Sequence, residues 1–203
     1  MIYESLNFLA ERLNNYMQRN AISVAESPVI LSRLVESDGK SAEGTTDKLI
    51  LSLVNVEKDT LVQPFSSNGY NANGQCIVSA SPIYMNLHVI LAANTKSDNY
   101  KKALKLLSSG MSFFQNNSVF DRQNSPNMPE GLEKLIIDVE NIKIQEMNNL
   151  WSSIGTKYMP SVLYKVRTVA LGGGFVSATP PAIRTQEKPS VDIKDDQKAE
   201  DEA

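Results

Sequence analysis

The 203 residues include 41% hydrophobic and 21% charged side chains with a net charge of −3, the profile of one globular domain with room for a small appendage. The charge is uneven: segment 184–203 holds four basic residues against seven acidic ones, so it carries the whole −3 and leaves residues 1–183 balanced at 16 and 16. A neutral body without a basic stripe argues against nucleic acid, and no stretch approaches the ~20 apolar residues that would insert in a membrane. The lone Cys76 excludes an internal disulfide, which makes a reducing compartment the default and a buried or incidental thiol the reading of that residue.

Residues 2–17 have acids among their apolar side chains and lack a basic start, so they read as an amphipathic helix rather than a secretory signal. Ile2, Leu6, Leu9, Leu13 and Tyr16 or Met17 recur at steps of three or four, with Glu4, Glu11, Arg12 and Asn15 off that stripe. Residues 27–36 suit a strand, and 37–47 form a turn-rich polar loop. The run 48–56 (KLILSLVNV) is apolar on both faces, as expected of a strand covered on both sides. Residues 60–81 are long and patternless, and the pairs Asn68–Gly69 and Asn73–Gly74 favour tight turns, so a small hairpin or flap is expected there.

A second strand covers 82–94, with Ile83, Met85, Leu87, Val89 and Leu91 on one face. Ser97 or Asp98 caps a helix reaching about residue 115, whose expected buried stripe is Tyr100, Ala103, Leu104, Leu107, Met111 and Phe114. After the polar loop 116–131, a half-exposed strand alternates Leu135, Ile137 and Val139 with Lys134, Asp138 and Glu140. A short helix at 145–154 turns Met147, Leu150, Trp151 and Ile154 inward, and a last strand runs 161–171. Helices interleaved with hairpin-like strands give an α+β class, a mixed and mostly antiparallel sheet flanked by helices. Residues 1–171 form the domain, and 172–203 read as a Gly/Pro linker with an acidic, disordered extension.

Chemistry is sparse. His88 is the only histidine, which rules out a multi-histidine metal site, and it lies mid-strand on the face of Tyr84, Asn86 and Ile90. Gly172–Gly173–Gly174 precede Phe175 and, further on, two prolines rather than a helix, so they do not make a phosphate cradle. Asp138 with Glu140 and Glu57 with Asp59 are paired by strand period, yet solvated strand faces account for both. No catalytic residue, metal or cofactor is expected.

Two clusters carry more information: YKKALKLLSSGMSFFQNNSVFDRQNSP from Tyr100, and MNNLWSSIGTKYMPSVLYKVRTV from Met147. Together with MIYESLNFLAERLNNYM and KLILSLVNVEKD, they make residues 1–171 resemble the cap, or tail-terminator, proteins of phage-tail-like contractile injection systems of the anti-feeding prophage and Photorhabdus virulence cassette type. The resemblance implies a tail-terminator-like fold and no enzymatic turnover. It also implies a homohexameric ring, distal to the baseplate, that ends the inner tube and anchors the last sheath layer. The implied partners are further copies of the chain and the terminal sheath and inner-tube proteins, with assembly in the cytoplasm. An adaptor that recruits another partner through the acidic segment is the alternative.

Within the second cluster, Leu150, Trp151 and Ile154 form a helix stripe and read as core, Gly155 ends that helix, and Pro160 fixes the start of the next strand. Tyr164 and Arg167 differ by three along a strand and therefore occupy opposite faces. Arg167, with Lys157 and Lys165, is the candidate for contacting neighbouring subunits, because a guanidinium can make bidentate pairs with a neighbour's carboxylate.

Overall fold

The computed structural model describes residues 1–20, 27–36, 38–60, 68–70, 76–79, 83–96, 99–170 and 176–178. In chain order these form α1 (Ile2–Arg19), β1 (Val29–Leu31), β2 (Lys48–Lys58), β3 (Asn68–Tyr70), β4 (Cys76–Ser79), β5 (Ile83–Asn94), α2 (Tyr100–Asn116), β6 (Val119–Asp121), β7 (Leu132–Val139), α3 (Ile144–Ile154), β8 (Ser161–Ala170) and β9 (Val176–Ala178). Six strands make one mixed sheet in the order β1-β2-β5-β8-β7-β6, and β3-β4-β9 make a second, small one. Only the β1–β2 pairing in the large sheet is parallel. The fold is α+β, as the element pattern predicts.

Side-chain alternation divides the core in two. Leu49, Leu51, Leu87, Val89 and Leu91 join α1 and α2 in the larger cluster, whereas Ile50, Ile90, Ala92 and Leu163 join Trp151 of α3 in the smaller. Successive strand residues point to opposite faces, so α1 and α2 cover one face and α3 covers part of the other. Leu9, Leu13 and Met17 of α1 are among the largest fully buried side chains. Each contributes on the order of 1.5–3 kcal/mol relative to an exposed position.

Helix α2 is rotated relative to the expected stripe. Its buried residues are Ala103, Leu106, Leu107, Gly110, Phe113 and Phe114, and Tyr100, Leu104 and Met111 are exposed. Two stripes at helical spacing compete in this sequence, and the one containing Gly110 prevails because it lets the helix approach the sheet closely. A Cβ on Gly110 would lie 2.8 Å from Leu91 Cδ2 and 3.3 Å from Leu49 Cδ1. The chosen face also places Phe113 against Tyr16 of α1, with ring centroids 5.1 Å apart, and Phe114 against Tyr164 of β8, also at 5.1 Å.

Other elements differ from the sequence pattern. The strand expected over 27–36 is only three residues long, although Leu34 beyond it enters the smaller core. Val119–Asp121, inside the expected polar loop, pairs with β7 as edge strand β6. The expected hairpin exists as β3–β4, but Asn68–Gly69 lies within a strand, paired with Val78 and Ile77, rather than at the turn. Asn73–Gly74, Ser97, Asp98 and Gly172–Gly174 lie outside the described residues. So does the segment expected as linker and extension, apart from β9, which pairs with β4. Of the expected α3 stripe, Trp151 alone is fully buried; Met147, Leu150 and Ile154 pack half-buried at the rim of the smaller core.

Gly110→Val is expected to lower stability by about 1–3 kcal/mol through overpacking against Leu91 and Leu49. Urea titration reads this as a fall in midpoint at unchanged slope; a midpoint equal to or above the parent's would show that α2 does not need the close approach.

Candidate functional site

On the face that α3 covers only in part, a row of polar side chains crosses four adjacent strands. Glu57 on β2 stands opposite Asn86 on β5, Asn86 opposite Arg167 on β8, His88 opposite Lys165, and Lys165 opposite Asp138 on β7. Directly opposed residues share a face. Two irregularities make the row possible. A register shift between Leu53 and Asn55 leaves the extra residue Val54 in the smaller core and brings Asn55 and Glu57 to the side of His88. A second shift, between Leu132 and Lys134, lets Leu132 and Leu135 both enter the larger core, so that Ile136 and Asp138 face the polar row.

Arg167 Nη2 donates to Asp138 Oδ2 at 2.7 Å, and both side chains are nearly half exposed. A pair of that exposure contributes little, about 0–1 kcal/mol. His88 Nε2 comes within 3.3 Å of Glu57 Oε2, close enough for ion pairing when the ring is protonated but without the alignment of a hydrogen bond. Lys165, half-buried between His88 and Asp138, has no ion pair among the described residues. Three polar atoms of this row are buried without a hydrogen-bond partner: Asn86 Oδ1, His88 Nε2 and Arg167 Nε. A buried amide oxygen without a partner, as Asn86 Oδ1 is among the described residues, costs on the order of 1–3 kcal/mol relative to a satisfied one. All three lie on two neighbouring strands, β5 and β8, beneath the exposed Arg167–Asp138 pair.

The sequence-derived candidates separate. Arg167 and Lys165 lie in the row, whereas Lys157 is exposed in the turn before β8; six strand residues, roughly 20 Å, separate Ser161 from Arg167. Gly155 is the left-handed cap of α3 at φ 78°, its amide donating to the carbonyls of Trp151 and Ser152. Trp151 stacks edge-on against Tyr158 at 5.8 Å. The Pro160 carbonyl accepts the Ala93 amide at 2.9 Å, which ties the start of β8 to β5. Tyr164 points away from the row into the larger core, and burial pushes its hydroxyl up to about 12. Glu57, Asn86 and Asp138 are the members that sequence reasoning did not assemble. Among the described residues, no group of three or more His, Cys, Asp or Glu side chains is arranged to hold a metal ion.

Comparison with known proteins agrees with the resemblance in the sequence. The family model described as the Pvc16 N-terminal domain matches residues 6–185. Among solved structures, the sheath/tube terminator of an extracellular contractile injection system, PVC, in its extended state superposes with a TM-score of 0.51 at 18% identity, over 90% of this chain and 64% of that one. The tube-terminating cap of the anti-feeding prophage superposes with a TM-score of 0.53 at 16% identity, over 87% of this chain and 60% of that one. The chain thus spans less than two thirds of the length of either cap. No curated protein sequence matches.

Two consequences can be measured on the isolated protein. Arg167→Ala is expected to change unfolding free energy by no more than about 1 kcal/mol; a larger loss would make Arg167 a folding residue. The raised Tyr164 hydroxyl binds its proton more tightly when folded, so its contribution to stability is complete below pH 10 and is lost as pH rises toward about 12. Tyr164→Phe should flatten that alkaline slope in denaturant titrations between pH 9 and 12 by comparison with the parent, and an unchanged slope would contradict the assignment.

Proposed function

The chain belongs to the Pvc16 N-terminal domain family, and on that premise we propose that it is the structural cap, or tail terminator, of a contractile injection particle. In this reading, copies of the chain form a ring, expected to be hexameric, at the end of the particle away from the baseplate. The ring ends the inner tube and anchors the last sheath layer, so that sheath contraction drives the tube without detaching from it. The work is binding rather than turnover, with no cofactor, nucleic acid or membrane insertion. Among the described residues, no helix is long and apolar enough to cross a membrane.

The observation that carries this reading is the fold shared with two tube-terminating proteins over about nine tenths of the chain. Two local features support it. The polar row offers Arg167 and Lys165 to a neighbour's carboxylates. Closed rings need heterologous contacts in which two different patches meet, and Lys157, at the other end of β8, is available to a different contact. The second feature is the sheet edge. β1 pairs only with Leu49–Leu51, so β2 residues 53–58 have no outer partner strand among the described residues. Leu53 and Val56 are exposed there. An extended arm from the terminal sheath subunit adding to this edge gains main-chain hydrogen bonds and covers both side chains.

Particles assembled without this chain are expected to carry tubes and sheaths of uncontrolled length by electron microscopy. A Lys165→Glu/Arg167→Glu variant, which leaves both cores intact, should purify folded yet fail to restore length control. Normal, stably capped particles in its absence would refute the reading.

A further inference from the structure

A groove lies between the second half of α1, the end of α2 and edge strand β6, with a cavity volume of about 240 Å³. Its floor is aromatic: the Tyr16 and Phe113 ring centroids are 5.1 Å apart, and those of Phe113 and Phe120 6.3 Å. Arg12 and Arg19 line it; seven residues apart on a helix, they share one side of α1. Arg12 donates to Ser125 Oγ at 3.0 Å and lies 5.6 Å from the centre of the Phe8 ring. Neither arginine has a carboxylate at ion-pair distance among the described residues. In a body whose charges balance, two unneutralised guanidiniums over an aromatic floor are a local excess of one sign. The chemistry that fits is an extended peptide with aliphatic side chains for the rings and carboxylates for the arginines.

The same chain carries such a peptide. Residues 191–196 read V-D-I-K-D-D. By the period of two of an extended chain, Val191, Ile193 and Asp195 alternate with Asp192, Lys194 and Asp196. This run sits in segment 184–203, which holds the entire net charge of −3. Residues 179–203 come after the last described strand; at ~3.3 Å per residue even the 13 positions from Ala178 to Val191 span up to about 43 Å. That matches the ~40 Å expected for the diameter of a domain of this size. A tether of this length holds its end at an effective concentration on the order of millimolar, so even a weak groove contact is populated.

We propose that the acidic segment 184–203 docks in the groove of its own copy, with Val191 and Ile193 over the Tyr16–Phe113–Phe120 floor and with Asp195, which shares their side, on Arg12 and Arg19. The contact is independent of the cap reading, and either can fail without the other.

Hydrogen exchange of the full chain, read by mass spectrometry, tests the contact. At low salt, amides 191–196 are expected to exchange at least about fivefold more slowly than in Arg19→Glu, with the difference lost at high salt. Arg19 is exposed, so that variant leaves the fold intact. Combining Arg12→Glu/Arg19→Glu with Asp195→Lys/Asp196→Lys should restore the protection. Equal exchange in the parent and Arg19→Glu, protection indifferent to salt, or protection that grows with protein concentration would each overturn the proposal. It also falls if residues 116–122 gain protection only when another particle protein is added, while 191–196 exchange freely; the groove would then belong to that partner's arm.

Discussion

Residues Val89 to Ala93 of β5 are all buried, and a strand buried at every position needs cover on both faces. That requirement organises the molecule. α1 and α2 meet it on one side, and α3 with Leu34 meets it on the other. The helix pair is long enough to cover the whole strand, but α3 is only eleven residues and covers one end. Where α3 stops, the same face of the same strands turns polar, beginning at His88 and Asn86. The polar row is thus the uncovered remainder of a sheet that had to be two-sided.

Much of this was legible in the sequence, because period-two and period-3.6 patterns report which side of an element is apolar. The helices at both ends, the strands 48–56, 82–94 and 161–171, and the placement of His88 beside Asn86 follow from spacing alone. Three things do not. Two overlapping stripes in α2 satisfy the helical period equally well, and the choice between them rests on Gly110, a residue with no hydrophobicity to notice. The shifts at Leu53/Asn55 and Leu132/Lys134 each reverse the facing of the strand residues beyond them, and no composition signal marks them. β6 owes its three residues to pairing with β7 rather than to any alternation of its own.

The candidate site was less legible than the fold for the same reason. Arg167 and Lys165 stand out as cations in an apolar strand, yet their partners come from register. Asp138 lies 29 positions away in sequence and meets Arg167 only because β7 and β8 pair as they do. Glu57 reaches the row only because of the irregularity in β2. The stretch from Leu150 to Arg167, within the second cluster that carries the family resemblance, mostly builds the fold: a rim-packed helix, a glycine cap and a proline whose carbonyl ties two strands together.

On the cap reading, the energetics of the row suit a surface that exchanges partners. The Arg167–Asp138 pair is half exposed and contributes at most about 1 kcal/mol, so trading Asp138 for a neighbour's carboxylate costs the subunit little. Asn86 Oδ1 and His88 Nε2 lie buried beside that pair, and His88 Nε2 already has Glu57 Oε2 at 3.3 Å, so the exposed cations are the groups a partner can reach. On that reading association exchanges one exposed ion pair for another, and the subunit folds before it finds its place.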